Sequence, residues 1–171
     1  MYLVNTRPDI CYAVNQLSQA MAKPTKLFWK AGKHVLRYLR GTSEYGLWYM
    51  KTNEVKFHGF TDADWAGSPS DRKSTSGGVF SIGSIAVSCY NRKQRSLALS
   101  LVEEKYIAVS QATCEAIWMR KILVGLFGSH LDPTVIHCDN QSCIKLSINL
   151  VFHDRTKHID IWYHHIRDCV Q

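Results

Sequence analysis

Two aspartates stand at the ends of predicted strands, where sheets commonly place ligand-binding groups. Asp62 lies near the end of the predicted strand 55–63, and Asp139 follows the predicted strand 134–138. An aspartate that ends an apolar strand is costly to bury unless it binds a metal ion or a hydrogen-bond donor. Two such carboxylates on adjacent strands are suitable ligands for Mg²⁺, a hard cation. Asp139 has an equally simple structural interpretation as the N-cap of a helix that begins at Gln141.

The apolar periodicity predicts the elements that position these aspartates. It indicates helices over the first twenty residues and over 26–40, 102–127, 141–148 and 159–170. It indicates strands at 47–50, 55–63, 79–82, 85–88 and 134–138, with a polar loop at 67–78. Strands followed by a long helix, another strand and another helix predict an α/β fold with a mixed sheet flanked by helices.

Composition limits the class of protein. The chain has 171 residues, 46% apolar and 20% charged, which is typical of one soluble domain of ordinary size. It has no apolar run of about 18 residues, and its first residues lack the order of a secretory signal. We therefore expect an intracellular protein with no membrane partner. The six cysteines form no Cys-x-x-Cys pair and are interpreted as free thiols.

The positive charge is concentrated at the front of the chain. Of the net charge of +7, residues 1–56 contribute +6, from nine Lys/Arg and three Asp/Glu. Basic residues recur at helical spacing in the predicted second helix, at Lys26, Lys30, Lys33, Arg37 and Arg40. This stripe suits contact with phosphates, and an ordinary solvated helix face explains it equally well.

Seven segments, taken in order, resemble copia-type retrotransposon polyproteins. TRPDICYAVN (6–15) and VLRYLRGT (35–42) resemble the end of the reverse transcriptase. TDADWAG (61–67), DRKSTSG (71–77), EAIW (115–118), CDNQS (138–142) and RTKHID (155–160) resemble the ribonuclease H domain that follows it. The resemblance implies the last helices of a reverse transcriptase over 1–45 and a ribonuclease H-like domain over 46–171.

The resemblance also implies a chemistry and its partners. Ribonuclease H domains hold two divalent metals, Mg²⁺ or Mn²⁺, with four carboxylates and hydrolyse the RNA strand of an RNA–DNA hybrid. Asp62 matches the first of these carboxylates and Asp139 the third. The expected partners are a hybrid and the remainder of a polyprotein.

Further residues are candidates for contact with the hybrid. Asn140 and Gln141 stand at a helix start beside Asp139, where they can donate to the backbone or a 2′-hydroxyl. The other candidates are Ser74, Thr75 and Ser76 in the predicted loop, and Arg155, Lys157 and His158 in a basic loop. Ordinary loop chemistry explains the three hydroxyl residues equally well.

The sequence departs from the family at the second carboxylate. The family pattern Ser-Ser-Thr-Glu-Ala-Glu-Tyr corresponds to SLVEEKY here, so Lys105 replaces the metal-binding Glu. Helical spacing places Lys105 on the same side as Val109, whereas Glu103 and Glu104 point about 200° and 100° away. We expect the Lys105 ammonium to reach Asp62 and Asp139, to take over part of the electrostatic role of a metal and to weaken metal binding.

A second departure concerns the end of the domain. In the family, one more strand and a last helix carrying the fourth carboxylate follow the segment that resembles 159–170. Their absence predicts a domain truncated at its C-terminus, with an unpaired edge at strand 134–138. We therefore expect a nuclease that is impaired or inactive. Two alternatives stay open: a non-catalytic nucleic-acid-binding module, and an unselected relic without a stable fold.

Overall fold

The computed structural model describes residues 2–50, 56–68, 71–128, 131–148 and 165–170. The N-terminal part contains α1 (Tyr2–Thr6), a 3₁₀ turn (Pro8–Ile10), α2 (Cys11–Gln19) and α3 (Lys26–Gly41). The strands are β1 (Phe57–Asp64), β2 (Thr75–Ile82), β3 (Ile85–Lys93) and β4 (Val135–His137). The remaining helices are α4 (Leu101–Phe127), α5 (Gln141–Ile148) and α6 (Ile166–Cys169).

The four strands form one mixed sheet in the order β3-β2-β1-β4. β1 pairs with β2, and β2 with β3, in antiparallel register, whereas β4 runs parallel to β1. The parallel pair requires a crossover, and α4 provides it between β3 and β4. Phe60 of β1 is opposite His137 of β4, so both strands direct their carboxyl ends to the same edge of the sheet.

One face of the sheet packs against α4. This core contains buried side chains from the strands and from the helix: Phe57, Phe80, Tyr90, Ala112, Ala116, Met119 and Leu123. The strand period of two directs Phe57 and Thr61 of β1 toward α4, and Phe60 and Asp62 away from it. A second cluster, of Tyr106, Ile107, Cys143 and Ile166, joins α4 to α5 and α6.

Local signals set the bounds of α4. The Ser100 hydroxyl accepts a hydrogen bond from the Glu103 amide at 3.2 Å, which caps the first turn. Gly128 ends the helix in the left-handed conformation, with φ of 63°. These bounds agree with the predicted helix 102–127, and α5 coincides with the predicted helix 141–148.

The α/β class is confirmed, but several predicted elements are wrong in detail. Residues 47–50 form no strand, since none of the strands in the described residues pairs with them. β2 begins at Thr75 and β3 continues to Lys93, so the predicted loop 67–78 is too long at its C-terminal side. Its Ser-Thr-Ser-Gly-Gly segment lacks apolar side chains, and pairing with β1 and β3 makes it a strand.

The N-terminal helices pack on the sheet through α2. α1 and α2 contact β3, and α3 contacts α2. The Arg7 guanidinium connects this unit, since it binds the Asp9 carboxylate at 2.8 Å and the Thr42 carbonyl at 2.9 Å. The Tyr38 hydroxyl donates to the same Asp9 carboxylate at 2.7 Å. Of the predicted helix 159–170, residues 159–164 lie outside the described residues, and no helix in the described ranges is long and apolar enough to cross a membrane.

Candidate active site

The structure brings Lys105, Asp62 and Asp139 together at the carboxyl ends of β1 and β4. The Lys105 ammonium donates to Asp62 Oδ1 in a short contact, and it lies 3.1 Å from Asp139 Oδ1 and 3.4 Å from Asp139 Oδ2. Asp62 Oδ1 also accepts the backbone N–H of Ala63 at 2.7 Å. A single cation therefore connects two strands through one pair of carboxylates.

Burial is distributed unequally among the three groups. The Lys105 side chain is only 12% exposed, whereas the side chains of Asp62 and Asp139 are 74% and 72% exposed. The lysine stem lies between α4 and the sheet, and its charged end closes the gap between the carboxylates from within. The carboxylates in turn face water on their outer side.

The electrostatics of Lys105 follow from these contacts. Burial lowers the pKa of Lys105, because it disfavours the charged form. The hydrogen bonds and charges of Asp62 and Asp139 together outweigh burial, so the pKa of Lys105 lies above the ordinary value for lysine. The group is therefore a permanent cation at neutral pH.

These side chains do not fit a divalent metal. Among the described residues, no three His, Cys, Asp or Glu side chains converge in a way that could hold a metal ion. An ammonium donates hydrogen bonds to the oxygens that a cation such as Mg²⁺ would use as ligands, and it adds a like charge at that position. The oxygen ligands available to a metal are therefore two carboxylates, and Lys105 already contacts both of them.

The two neighbouring glutamates point elsewhere. Glu103 accepts a hydrogen bond from the Leu99 amide at 2.8 Å and helps to hold the start of α4. Glu104 is 1% exposed and accepts the Ser74 hydroxyl at 3.1 Å. Burial raises the pKa of Glu104, and the Ser74 hydrogen bond offsets this only in part.

The prediction that Ser74, Thr75 and Ser76 lie in a flexible loop is wrong. All three are buried, with Thr75 and Ser76 in β2. Ser76 accepts a hydrogen bond from Gln94 Nε2 at 2.9 Å, in a polar network behind the sheet edge. Their hydroxyls are therefore not available to a phosphate, because neighbouring groups of the protein enclose them.

The start of α5 decides whether Asp139 is the N-cap of this helix. Asn140, not Asp139, is the N-cap, because Asn140 Oδ1 accepts the Cys143 amide at 2.9 Å. Asp139 is left to pair with Lys105, and Gln141 is exposed in the first turn beside it. Residues 155–158, which include the predicted Arg155, Lys157 and His158, lie outside the described residues.

A stacked aromatic pair, not predicted from the sequence, lies beside the carboxylates. The rings of Phe60 and His137 stack at 4.6 Å on the sheet face that points away from α4. They line an open groove of about 520 Å³, which Tyr12 of α2 borders and into which Asp62 and Asp139 open. The strand period of two could have predicted this pair, since Phe60 and His137 each precede an aspartate by two positions and so lie on the same face of the sheet as that aspartate.

The fold and the site together define an α/β domain whose mixed sheet ends in a carboxylate pair bridged by a lysine. No protein-family model and no solved structure matches the chain. The retrovirus-related Pol polyprotein from transposon RE2 of Arabidopsis thaliana is 43% identical over 170 residues, 99% of this chain. The corresponding polyprotein from transposon TNT 1-94 of Nicotiana tabacum is 43% identical over 168 residues. Secreted RxLR effector protein 161 of Plasmopara viticola is 48% identical over 120 residues, 70% of this chain and 84% of that protein.

Over nearly its whole length the chain is similar to a segment of the retrovirus-related Pol polyproteins of transposons, which supports a fragment of a retrotransposon polyprotein. It spans 12% of the length of the Arabidopsis and tobacco polyproteins. These matches confirm the predicted resemblance to a segment of a retrotransposon polyprotein.

Proposed function

We propose that residues 46–171 are a ribonuclease H-like domain of a copia-type polyprotein, in which Lys105 takes the place of divalent metal and abolishes cleavage. Residues 1–45 are then the last helices of the preceding reverse transcriptase. The observation that carries the proposal is the contact of the Lys105 ammonium, whose side chain is 12% exposed, with both Asp62 and Asp139. The mixed sheet and the family relationship support the assignment of the scaffold.

The proposed loss of activity follows from the charge arrangement. Ribonuclease H chemistry needs divalent metals to activate water and to stabilise the leaving oxygen. A lysine ammonium neutralises carboxylates, but it offers no open coordination position for a water or a phosphate oxygen. A loss of about 4 kcal/mol of transition-state stabilisation already lowers the rate about a thousandfold.

The chain retains groups suited to holding a nucleic-acid backbone near this site. Gln141 is exposed at the start of α5, next to Asp139, where helix N–H groups favour an anion. Asn140 fixes that helix start through its capping bond. We assign the same role to Arg155, Lys157 and His158, on the strength of the family resemblance.

The test is cleavage of a labelled RNA strand in an RNA–DNA hybrid, with Mg²⁺ and then Mn²⁺. We expect no metal-dependent cutting above background by the folded parent chain. The control is Asp62→Asn, which separates cutting at this site from cutting by a contaminating nuclease. Metal-dependent cutting by the parent that disappears in Asp62→Asn contradicts the proposal.

A second candidate function is nucleic-acid binding without catalysis. The uneven charge favours it, since residues 1–56 carry +6 of the net +7. Such a module binds a hybrid without Mg²⁺, and its affinity falls steeply with salt. Equal affinity at low and high salt would exclude this candidate.

A further inference from the structure

Two cysteines from distant parts of the chain line the same groove. Cys11 is the first residue of α2, and Cys89 lies in β3. Both border the open groove beside the carboxylates, and both side chains are half-buried. The six cysteines of the chain are all free thiols in this structure. The groove is open to solvent, so a small reagent can reach this pair.

The direction of Cys89 follows from the alternation of side chains along β3. The next residue, Tyr90, is buried in the core between the sheet and α4. Because successive side chains of a strand point to opposite faces, Cys89 points to the face of the sheet that is turned away from α4. α2 packs against β3 and brings Cys11 to that face. The fold itself therefore places these two thiols side by side.

The two thiols interact directly. Burial, a hydrogen bond with Cys11 and the charge of Cys11 together raise the pKa of the Cys89 thiol to about 12. A hydrogen bond that raises the pKa of a thiol is one that the thiol donates, so Cys89 donates to Cys11. Thiols in this arrangement need only small side-chain rotations to reach the geometry of a disulfide. Cys89 keeps its proton at neutral pH, which suits the resolving rather than the attacking member of a thiol pair.

We propose that Cys11 and Cys89 are a site of reversible oxidation, at which a small disulfide such as oxidised glutathione converts the two thiols into one intrachain disulfide. The deprotonated Cys11 sulfur attacks one sulfur of oxidised glutathione, forms a mixed disulfide and releases one glutathione. Cys89 then gives up its proton and attacks the Cys11 sulfur, which forms the Cys11–Cys89 bond and releases the second glutathione. The protein thiols lose two electrons and two protons, and oxidised glutathione takes up both to become two thiols.

The disulfide joins the N-terminal helices covalently to the sheet. It fixes α2 along the groove into which Asp62 and Asp139 open, and reduction releases it. The bond involves neither these aspartates nor Lys105. The oxidation site and the proposed loss of cleavage can therefore fail independently of each other.

The other cysteines are less suited to a link between distant elements. Cys138 and Cys143 also interact, but they belong to one short segment that runs from β4 into α5. Cys114 and Cys169 are exposed, and the Cys114 sulfur lies 3.3 Å from His165 Nε2. Cys11 and Cys89 are thus the pair whose oxidation would connect the two parts of the molecule.

The test maps disulfides in the folded full chain after incubation in glutathione buffers of increasing oxidised fraction, with the remaining thiols blocked by N-ethylmaleimide. Trypsin does not cleave before proline, so it releases Cys11 in peptide 1–26 and Cys89 in peptide 74–92, each with a single cysteine. We expect these two peptides to become linked in a chain that migrates as a monomer on a non-reducing gel. Dithiothreitol is expected to separate them again.

Oxidation is also expected to raise Tm. The disulfide closes a loop of about 80 residues, and the lower chain entropy of the unfolded state corresponds to a rise of about 5–15 °C. Cys11→Ser and Cys89→Ser are each expected to abolish both the linked peptides and the rise. The matched control, Cys114→Ser with Cys169→Ser, removes two thiols from exposed positions elsewhere and is expected to keep both.

Three results would overturn the proposal. The first is the absence of the linked peptides from the folded parent chain in the most oxidising buffer. The second is formation of the link only in urea, which would show that the folded chain keeps the two thiols apart. The third is an equal rise of Tm on oxidation in Cys11→Ser and in the parent. The first two results need no variant, so they stay decisive if a serine variant does not fold.

Discussion

Replacing Lys105 by glutamate is the sharpest test of how this site works. The substitution removes the cation that contacts Asp62 and Asp139, and it places a third carboxylate at the same position on α4. Three converging carboxylates repel one another in the absence of metal, and they become a suitable oxygen donor set for Mg²⁺. The variant is therefore expected to lose stability without Mg²⁺ and to regain part of it when Mg²⁺ is added.

The stability that the Lys105→Glu variant is expected to lose without Mg²⁺ has two parts. The parent has two ion pairs with largely exposed carboxylates, worth about 0.5–1 kcal/mol each. The new carboxylate adds repulsion of about 1 kcal/mol for each close neighbour at high dielectric constant. The sum is a loss of about 3–4 kcal/mol, which lowers Tm by about 6–16 °C for a chain of this length.

The recovery follows from mass action. Mg²⁺ at ten times its dissociation constant stabilises the folded variant by about 1.4 kcal/mol, and at a hundred times by about 2.7 kcal/mol. These values correspond to rises in Tm of about 4 °C and about 8 °C. The parent is expected to show no comparable rise, because its ammonium occupies the space between the carboxylates.

The assay is thermal unfolding followed by circular dichroism over a range of MgCl₂ concentrations, with NaCl adjusted to hold ionic strength constant. Lys105→Met is the matched control, since it removes the ion pairs without adding a ligand and is expected to show no Mg²⁺ response. Lys121→Glu makes the same charge reversal at an exposed position elsewhere on α4. A folded Lys105→Glu variant that responds to Mg²⁺ no more than the parent would refute the reasoning.

Three further predictions concern stability. Arg7 holds the pKa of the Asp9 carboxyl at about 2, below its ordinary value, so this carboxylate stabilises the fold above about pH 4 and the contribution disappears as the pH falls toward 2; acid unfolding of Asp9→Asn is expected to lack this component. Asn140→Ala is expected to lower the free energy of unfolding by about 1 kcal/mol in urea, and Asn140→Ser to restore most of it, because serine also caps a helix. Burial raises the pKa of Glu104, so its ionisation opposes folding as the pH rises; urea unfolding is expected to show that Glu104→Gln stabilises the chain at pH 7 and has less effect at pH 4.

The unselected-relic alternative is tested by the same unfolding curves. A chain with the core described above should unfold in one cooperative transition, because the sheet and α4 share buried side chains. A gradual, non-cooperative loss of signal by the parent would favour the relic. Nucleic-acid binding and cleavage assays are informative only once that transition has been observed.

Local periodicity predicted the elements whose signal lies within a few turns of chain. α4 and α5 were predicted because apolar residues recur at helical spacing, whereas the Ser100 cap of α4 is visible only in the structure. The ends of two strands, β1 and β4, were predicted because each apolar run is followed closely by an aspartate. Lys105 was placed on the side of α4 that faces these aspartates because angular position on a helix follows directly from sequence number.

The errors occur where pairing with distant parts of the chain decides the structure. The segment at 75–78 has the composition of a loop, yet it is a largely buried strand because β1 and β3 lie on its two sides. Glu104 has an ionisable side chain and was not predicted to lie in the core. The structure nevertheless buries it beneath Ser74 and the segment that contains Gln94. No window of neighbouring residues contains this information, since the contacts join positions ten to thirty residues apart.

The unequal exposure of the three site residues distinguishes this arrangement from a metal site that has lost its ion. In a carboxylate metal site without metal, the acidic groups repel, and removing one of them relieves strain. Here the lysine is 12% exposed, so its charge depends on Asp62 and Asp139 for compensation. Removal of either partner leaves a nearly buried cation less satisfied, which is costly. The aspartates of this chain therefore contribute to stability through Lys105, and under the proposed function the same contacts that stabilise the strand ends also oppose metal binding.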